Sequence, residues 1–287
     1  MQDASLGLGL AILGVLLLAL PPLYGYPAEW SLVIGASSLA LGSVSLLVYV
    51  RRLLFAAAGA PHAAFFAASL AIILSVEVGG PRLVWTVLVG LLIIYALGYA
   101  TYRGMDPDDA TALVVSTSSS LGVLTAIYVL SRYSYGSSVL GVVMGDPLLA
   151  RGPEVVACVA IAVVSLILTL ATAREVAYIG LDRDDAMLSG IRVWLYDLAL
   201  YTLLGVTVMG LVRIVGFVIE HVLLLLPGAI AVSTGRSGYG SLAVSTGTTL
   251  AAGGLGLSAS ILFNLSPSGV IGLAVAAGYL LSAVLRR

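Results

Sequence analysis

Ten apolar runs, each close to the length that crosses a bilayer, follow one another along the chain: 6–24, 31–50, 63–79, 83–102, 110–131, 154–173, 193–211, 214–234, 241–263 and 269–285. About 20 mostly apolar residues carry a helix across ~30 Å of hydrocarbon. Backbone polar groups at that depth must be satisfied inside the segment, which favours helices. With 60% hydrophobic and 9% charged residues, the chain holds far less charge than a soluble domain. The first and third runs are short. The expected fold class is therefore all-α, a polytopic membrane helical bundle of about ten (eight to ten) transmembrane helices. No linker or soluble module of useful size separates the runs, so residues 1–287 read as a single transmembrane domain. Asp3 precedes the first run and no basic residue does, whereas a cleaved signal peptide wants a positive start. That run is expected to stay as a span.

The charges that remain are unevenly placed. Residues 174–192 hold seven of the 27 formal charges and lie between two long apolar runs. Asp182 is suited to cap a short helix, Asp184 and Asp185 favour its first turn, and Gly190 can end it. This predicts a small helix at about 182–190 on the water side of the membrane. The pattern G-h-D-x-D-D-A occurs at 180–186 and also at 104–110. In the earlier copy, Asp106 before Pro107 reads as a helix cap. In the later copy, capping and docking of a partner are both open. Too few oxygen ligands follow at EF-hand spacing for a Ca²⁺ loop.

All thirteen basic residues are arginine. A phosphate-binding P-loop needs its lysine, so any ATPase belongs to another chain. Placing 174–192 in the cytoplasm puts Arg51, Arg52, Arg103, Arg174, Arg183, Arg192, Arg236, Arg286 and Arg287 inside. Arg82, Arg132, Arg151 and Arg213 then fall outside. That distribution follows the positive-inside rule, and it makes both termini cytoplasmic in a multi-pass protein of the cell membrane. Net charge −1 gives no sign of nucleic-acid binding. Cys158, the only cysteine, excludes an internal disulfide and a cysteine metal cluster.

Glu220 and His221 lie well inside the eighth run, His62 opens the third after Pro61, and Glu77 is near that run's far end. Ionisable groups at membrane depth are expensive and usually face a bundle interior or a watery path. Imidazole and carboxylate suit zinc, iron or manganese, and they suit a proton relay equally. Structural readings stand beside these: a satisfied histidine near a helix end for His62, and a buried helix–helix hydrogen bond for Glu220 and His221. Consecutive residues on a helix diverge by about 100°. Glu220 and His221 therefore cannot share one face, and one of them is free to pair with a neighbour such as Arg213. The serines at 116–120 are candidates to line a cavity. Gly253, Gly254 and Gly256 follow no strand, so they read as close helix packing and not as a nucleotide loop.

The order of these signals resembles the ABC-3 family of ABC-transporter permeases, importers of zinc, manganese or iron. The resemblance rests on VYVRRLLF at 48–55 with HAAF at 62–65, on DDATAL at 108–113, and on LGVVMGDPLLA at 140–150. It continues with DRDDAMLSG at 182–190 followed by Asp197, and with VRIVG at 212–216 leading to LPGA at 226–229. The matches run in order over about 240 residues. The family usually carries Asp four residues before the histidine, a pair on one helical face. Ala58 stands there in this chain, and Glu220 or His221 is expected to supply the lost ligand.

The resemblance implies a type II-like ABC importer permease, not an enzyme, with no permanently bound cofactor. A divalent metal ion is the cargo, and His62, Glu220 and His221 are the candidate ligands along the path. It implies a homodimer and a separate ABC ATPase subunit that burns ATP and docks on Asp182, Arg183, Asp184, Asp185 and Gly190. An extracellular metal-binding lipoprotein or solute-binding protein would deliver the ion. Alternatives are a proton-coupled secondary transporter using Glu220 and His221, and an ABC permease for a metal chelate such as a siderophore or cobalamin. An intramembrane metalloprotease would want H-E-x-x-H, which is absent from the sequence.

Overall fold

The computed structural model of the chain describes residues 2–133, 145, 147–234 and 237–284. Its helices are α1 (Gln2–Leu23), α2 (Ala28–Val50), α3 (Leu54–Glu77), α4 (Arg82–Tyr102) and α5 (Pro107–Arg132). They continue with α6 (Pro153–Leu181), the short α7 (Arg183–Leu188), α8 (Val193–Thr234), α9 (Gly238–Phe263) and α10 (Pro267–Val284). A 3₁₀ turn at Pro147–Leu149 precedes α6. Nine of the described helices are long and apolar enough to cross a membrane, and no strand occurs among the described residues.

Helix α8 resolves the difference between nine long helices and ten apolar runs. Its 42 residues make about 63 Å of helix, twice the hydrocarbon thickness. The helix breaks at Gly216, whose φ of 81° and ψ of 163° belong to a region that only glycine occupies without strain. The packing shows that the chain reverses there. Gly210 meets Ile161 and Arg213 pairs with Glu154, both near the start of α6. Gly228 then lies against Ser45 and Tyr49 near the far end of α2.

The pairing of α1 with α9 gives an independent check. Gly7 meets Ala243, Gly14 meets Leu250 and Gly254 meets Leu17, so the two helices run parallel. A single crossing by α8 would have made them antiparallel. Segments 193–215 and 217–234 are thus two spans. The described helices cross ten times, within the range expected from the apolar runs.

Burial sorts the helices into a centre and a rim. In α2, 78% of the apolar window is buried inside the protein, against 22% in α1, α4, α5 and α10. The buried helices carry the small and polar residues that let backbones approach. Ser45 Oγ accepts from the Gly228 amide at 2.8 Å, and Ser245 Oγ donates to the Gly42 carbonyl at 2.6 Å. Thr249 Oγ1 likewise donates to the Ser38 carbonyl at 2.8 Å. A Cβ on Gly253 would stand 2.6 Å from Ser38 Oγ, and one on Gly254 would stand 2.7 Å from Leu17 Cβ. The glycine-rich run of α9 is therefore a packing surface, as its sequence context indicates. The rim helices expose Leu92, Leu124, Ile127, Ile167 and Leu273, which suits a lipid-facing perimeter.

Both acidic motifs cap helices. Asp106 accepts from the amides of Asp108 and Asp109 at 2.9 and 3.4 Å, with Pro107 in the first turn of α5. Asp182 does the same for α7, accepting from Asp184 and Asp185 at 3.0 Å each. Leu140–Met144 and Asp146 of the loop that resembles the family pattern, together with Arg236, Arg286 and Arg287, lie outside the described residues. Gly145 is described, and a side chain on it would collide with the Gly216 backbone. The loop therefore reaches the reversal point of α8.

Candidate functional site

Two features stand apart from ordinary packing: a polar cluster within the spans and a charged assembly on the face that bears residues 174–192. The first is built on α3, α5 and the second half of α8. His62 sits two turns into α3, directly after Pro61, and His221 sits just past the reversal at Gly216. Their rings meet edge to face, with centroids 5.6 Å apart and planes at 89°. Phe217 closes the group, 5.0 Å from the His62 ring and 4.2 Å from the His221 ring.

Each histidine is held by its Nδ1. The His221 Nδ1 lies 3.0 Å from the Phe217 carbonyl oxygen. A carbonyl only accepts, so this bond assigns the proton to Nδ1 and leaves the Nε2 lone pair free. His62 Nδ1 is 2.9 Å from Ser119 Oγ on α5. Both rings are half-buried. An imidazole held by Nδ1, with Nε2 available, is the usual preparation for a metal ligand, and His221 has that form.

Glu220 does not join them. Its side chain is fully buried, and neither carboxylate oxygen has a hydrogen-bond partner. Among the described residues no three His, Cys, Asp or Glu side chains converge on one ion site. Arg213 is no partner for it either. The guanidinium pairs with Glu154 at 3.9 Å, because the chain turns back between Arg213 and Glu220. Ala58, one helical turn before His62, offers no ligand atom. Within the serine run, Ser119 reaches His62, whereas Ser116 and Ser120 are exposed and linked along α5 at 2.8 Å.

On the face that bears residues 174–192, α7 is a six-residue helix, and Leu181 at the end of α6 and Leu188 at the end of α7 are almost bare, at 85% and 87% exposure. Ala186 anchors it inward, packed with Ile179 and Val193. Tyr178 donates to Asp185 and also lies 3.1 Å from Ser189. Gly190, at φ 84°, ends the segment in a left-handed turn. Of the acidic residues expected to dock a partner, Asp182 is spent on capping and Asp185 on Tyr178. Asp184 remains exposed.

An ion cluster ties this segment to the centre of the bundle. Arg51, at the C-cap of α2, pairs with Asp197 on α8, which also takes Arg183 of α7 at 3.3 Å. Arg51 reaches the Ile179 carbonyl of α6 at 3.5 Å as well. One carboxylate on α8 thus joins α7 to the most buried helix, α2. The arginine pair and Asp197 were visible in the sequence. Their meeting across 146 residues was not.

The half-buried histidine pair is enclosed by crossing helices, and packed spans join it to an exposed segment on one face. The chain belongs to the ABC 3 transport family, whose model matches residues 29–286. It is 26% identical over 204 residues to a "probable metal transport system membrane protein" of Thermotoga maritima, covering 71% of this chain and 70% of that one. It is 25% identical over 252 residues to an uncharacterized membrane protein of Synechocystis, covering 87% of each. Among solved structures, PsaBC of Streptococcus pneumoniae bound to a Fab superimposes with a TM-score of 0.74 at 20% identity, over 88% of this chain and 89% of that chain. An inward-facing transporter described as metal-chelate type superimposes at 0.71 with 14% identity, over 98% of each. Those likenesses show that the chain shares the fold of these two structures.

Proposed function

We propose that this chain is the membrane-spanning subunit of an ATP-driven importer of a divalent transition metal ion, zinc, manganese or iron. The observation that carries the reading is the His62–His221 pair, set ring to ring across α3 and α8. Two imidazole nitrogens suit these ions. A site with only two protein ligands leaves coordination positions to water, so it can accept an ion and still release it. Glu220 supplies the acidic group nearest in sequence to that pair, and it acts as a ligand only in a conformation that turns it toward the path.

The chain itself performs no covalent chemistry and keeps no resident cofactor. ATP is hydrolysed by a separate ABC ATPase that binds at 182–190, where Leu181 and Leu188 give an apolar grip and Asp184 a polar one. A solute-binding protein delivers the ion on the opposite face. Two copies form the transporter, with both termini and 174–192 in the cytoplasm. The likeness to the metal transport membrane protein of Thermotoga maritima supports the metal assignment.

The test is uptake of labelled Zn²⁺ and Mn²⁺ into vesicles holding the permease with its ATPase. The variants are His62→Ala, His221→Ala and Glu220→Ala. Loss of uptake in both histidine variants is expected. Unchanged uptake in both refutes the reading.

A further inference from the structure

A polar cleft of about 740 Å³ opens on the inner face between the end of α6 and the start of α8, lined by Arg174, Glu175, Tyr178, Ser189, Arg192 and Tyr196, among others. Tyr178, Ser189 and Gly190 also belong to the α7 segment, but Arg174, Glu175 and Arg192 have no part in the site described above. Arg174 lies seven residues, about 10 Å of helix, before the bare Leu181. The cleft therefore sits at the level where α6 and α8 enter the hydrocarbon, below the docking surface of α7. Neither Arg174 nor Arg192 has an ion-pair partner among the described residues, and both are exposed. Trp194 and Leu195, beside Arg192, are also exposed, at 57% and 39%.

We propose that this cleft holds the phosphate of an anionic phospholipid from the inner leaflet. Two unpaired guanidinium groups against one carboxylate leave a single positive charge, which one phosphodiester balances. Arginine is suited to that group because its donors form a fork that matches phosphate oxygens. Tyrosine and tryptophan favour the headgroup level, where one end of the ring is apolar and the other wet. Exposed Leu195 offers acyl chains a surface beside the headgroup. Juxtamembrane arginines on the cytoplasmic side meet the anionic leaflet. The assignment takes its sidedness from the reading above, but its test involves no transport.

Delipidated permease in zwitterionic detergent is titrated with phosphatidylglycerol or phosphatidylcholine, and bound lipid is counted by native mass spectrometry. The expected result is preferential retention of phosphatidylglycerol. Affinity should fall about fivefold in Arg174→Gln or Arg192→Gln and about thirtyfold in the double variant. Arg103→Gln, on the same face, should leave it unchanged, and Glu175→Gln should hold or raise it. The single variants carry the test if the double variant does not fold. Equal retention of both lipids by the wild-type chain overturns the proposal, as does undiminished phosphatidylglycerol binding in Arg174→Gln, Arg192→Gln and their double variant alike. Displacement by millimolar inorganic phosphate would mark a free-anion site, and displacement by one equivalent of the partner ATPase would mark a protein interface. Either result overturns the lipid assignment.

Discussion

Replacing Asp197 with Asn removes the one anion shared by Arg51 and Arg183. The Arg51 and Asp197 side chains are only 12% and 20% exposed, whereas Arg183 is 52% exposed. Breaking a fully buried pair by deleting one partner costs about 3–5 kcal/mol. Partial access to water reduces this to about 2–3 kcal/mol for Asp197→Asn, because Arg51 is left shielded and without its carboxylate. Arg183→Gln removes only the outer, solvent-screened contact, worth less than about 1 kcal/mol. Arg51→Gln should fall between them, since Asp197 keeps Arg183 but α6 loses a bond at Ile179. At about 2–4 °C per kcal/mol for a chain of comparable size, Asp197→Asn should melt about 4–12 °C below wild type and Arg183→Gln within about 4 °C of it. Thermal unfolding of the detergent-solubilised permease, followed by size exclusion, reads both. A loss for Arg183→Gln equal to that for Asp197→Asn refutes the reasoning. So does an Asp197→Asn melt within about 1 °C of wild type.

Two further variants probe the break and the docking surface. Gly216→Ala forces a Cβ into a backbone region that costs about 1–3 kcal/mol, so the yield of monodisperse protein should drop; an unchanged melting temperature contradicts the hinge. Leu181→Ser with Leu188→Ser alters side chains that are already bare, so stability should change by less than about 0.5 kcal/mol while a co-expressed ATPase no longer co-purifies. Retained co-purification contradicts the apolar grip.

Most of the architecture was legible because bilayer thickness imposes a length on apolar segments, and ten such segments are plain in the sequence. The caps at Asp106 and Asp182 were equally legible, since their chemistry is local. The double span inside α8 was legible only as two runs separated by a short gap at 212–213. Nothing in that gap shows that Gly216 turns the chain back without a loop. The candidate site was legible in its ingredients but not in its grouping. His62 and His221 meet because α8 reverses, and the same reversal separates Glu220 from Arg213. Helical periodicity already implied that Glu220 and His221 diverge. Which of them joins His62 depends on how α8 rotates against α2 and α3, and that is set by the Ser45–Gly228 contact 183 residues apart. The apolar residues of the 181–190 segment were overlooked because its charges dominate the composition, although Leu181 and Leu188 are its barest large apolar side chains.

The central claim is that residues 181–190 project into the cytoplasm as the surface on which a separate ATPase acts. Cys158 is fully buried, so a thiol introduced at exposed Ser189 is the reporter for a membrane-impermeant maleimide. Labelling of Ser189→Cys in inside-out vesicles, and none in intact cells, is the expected result. Efficient labelling in intact cells would place the segment on the opposite face and contradict the account.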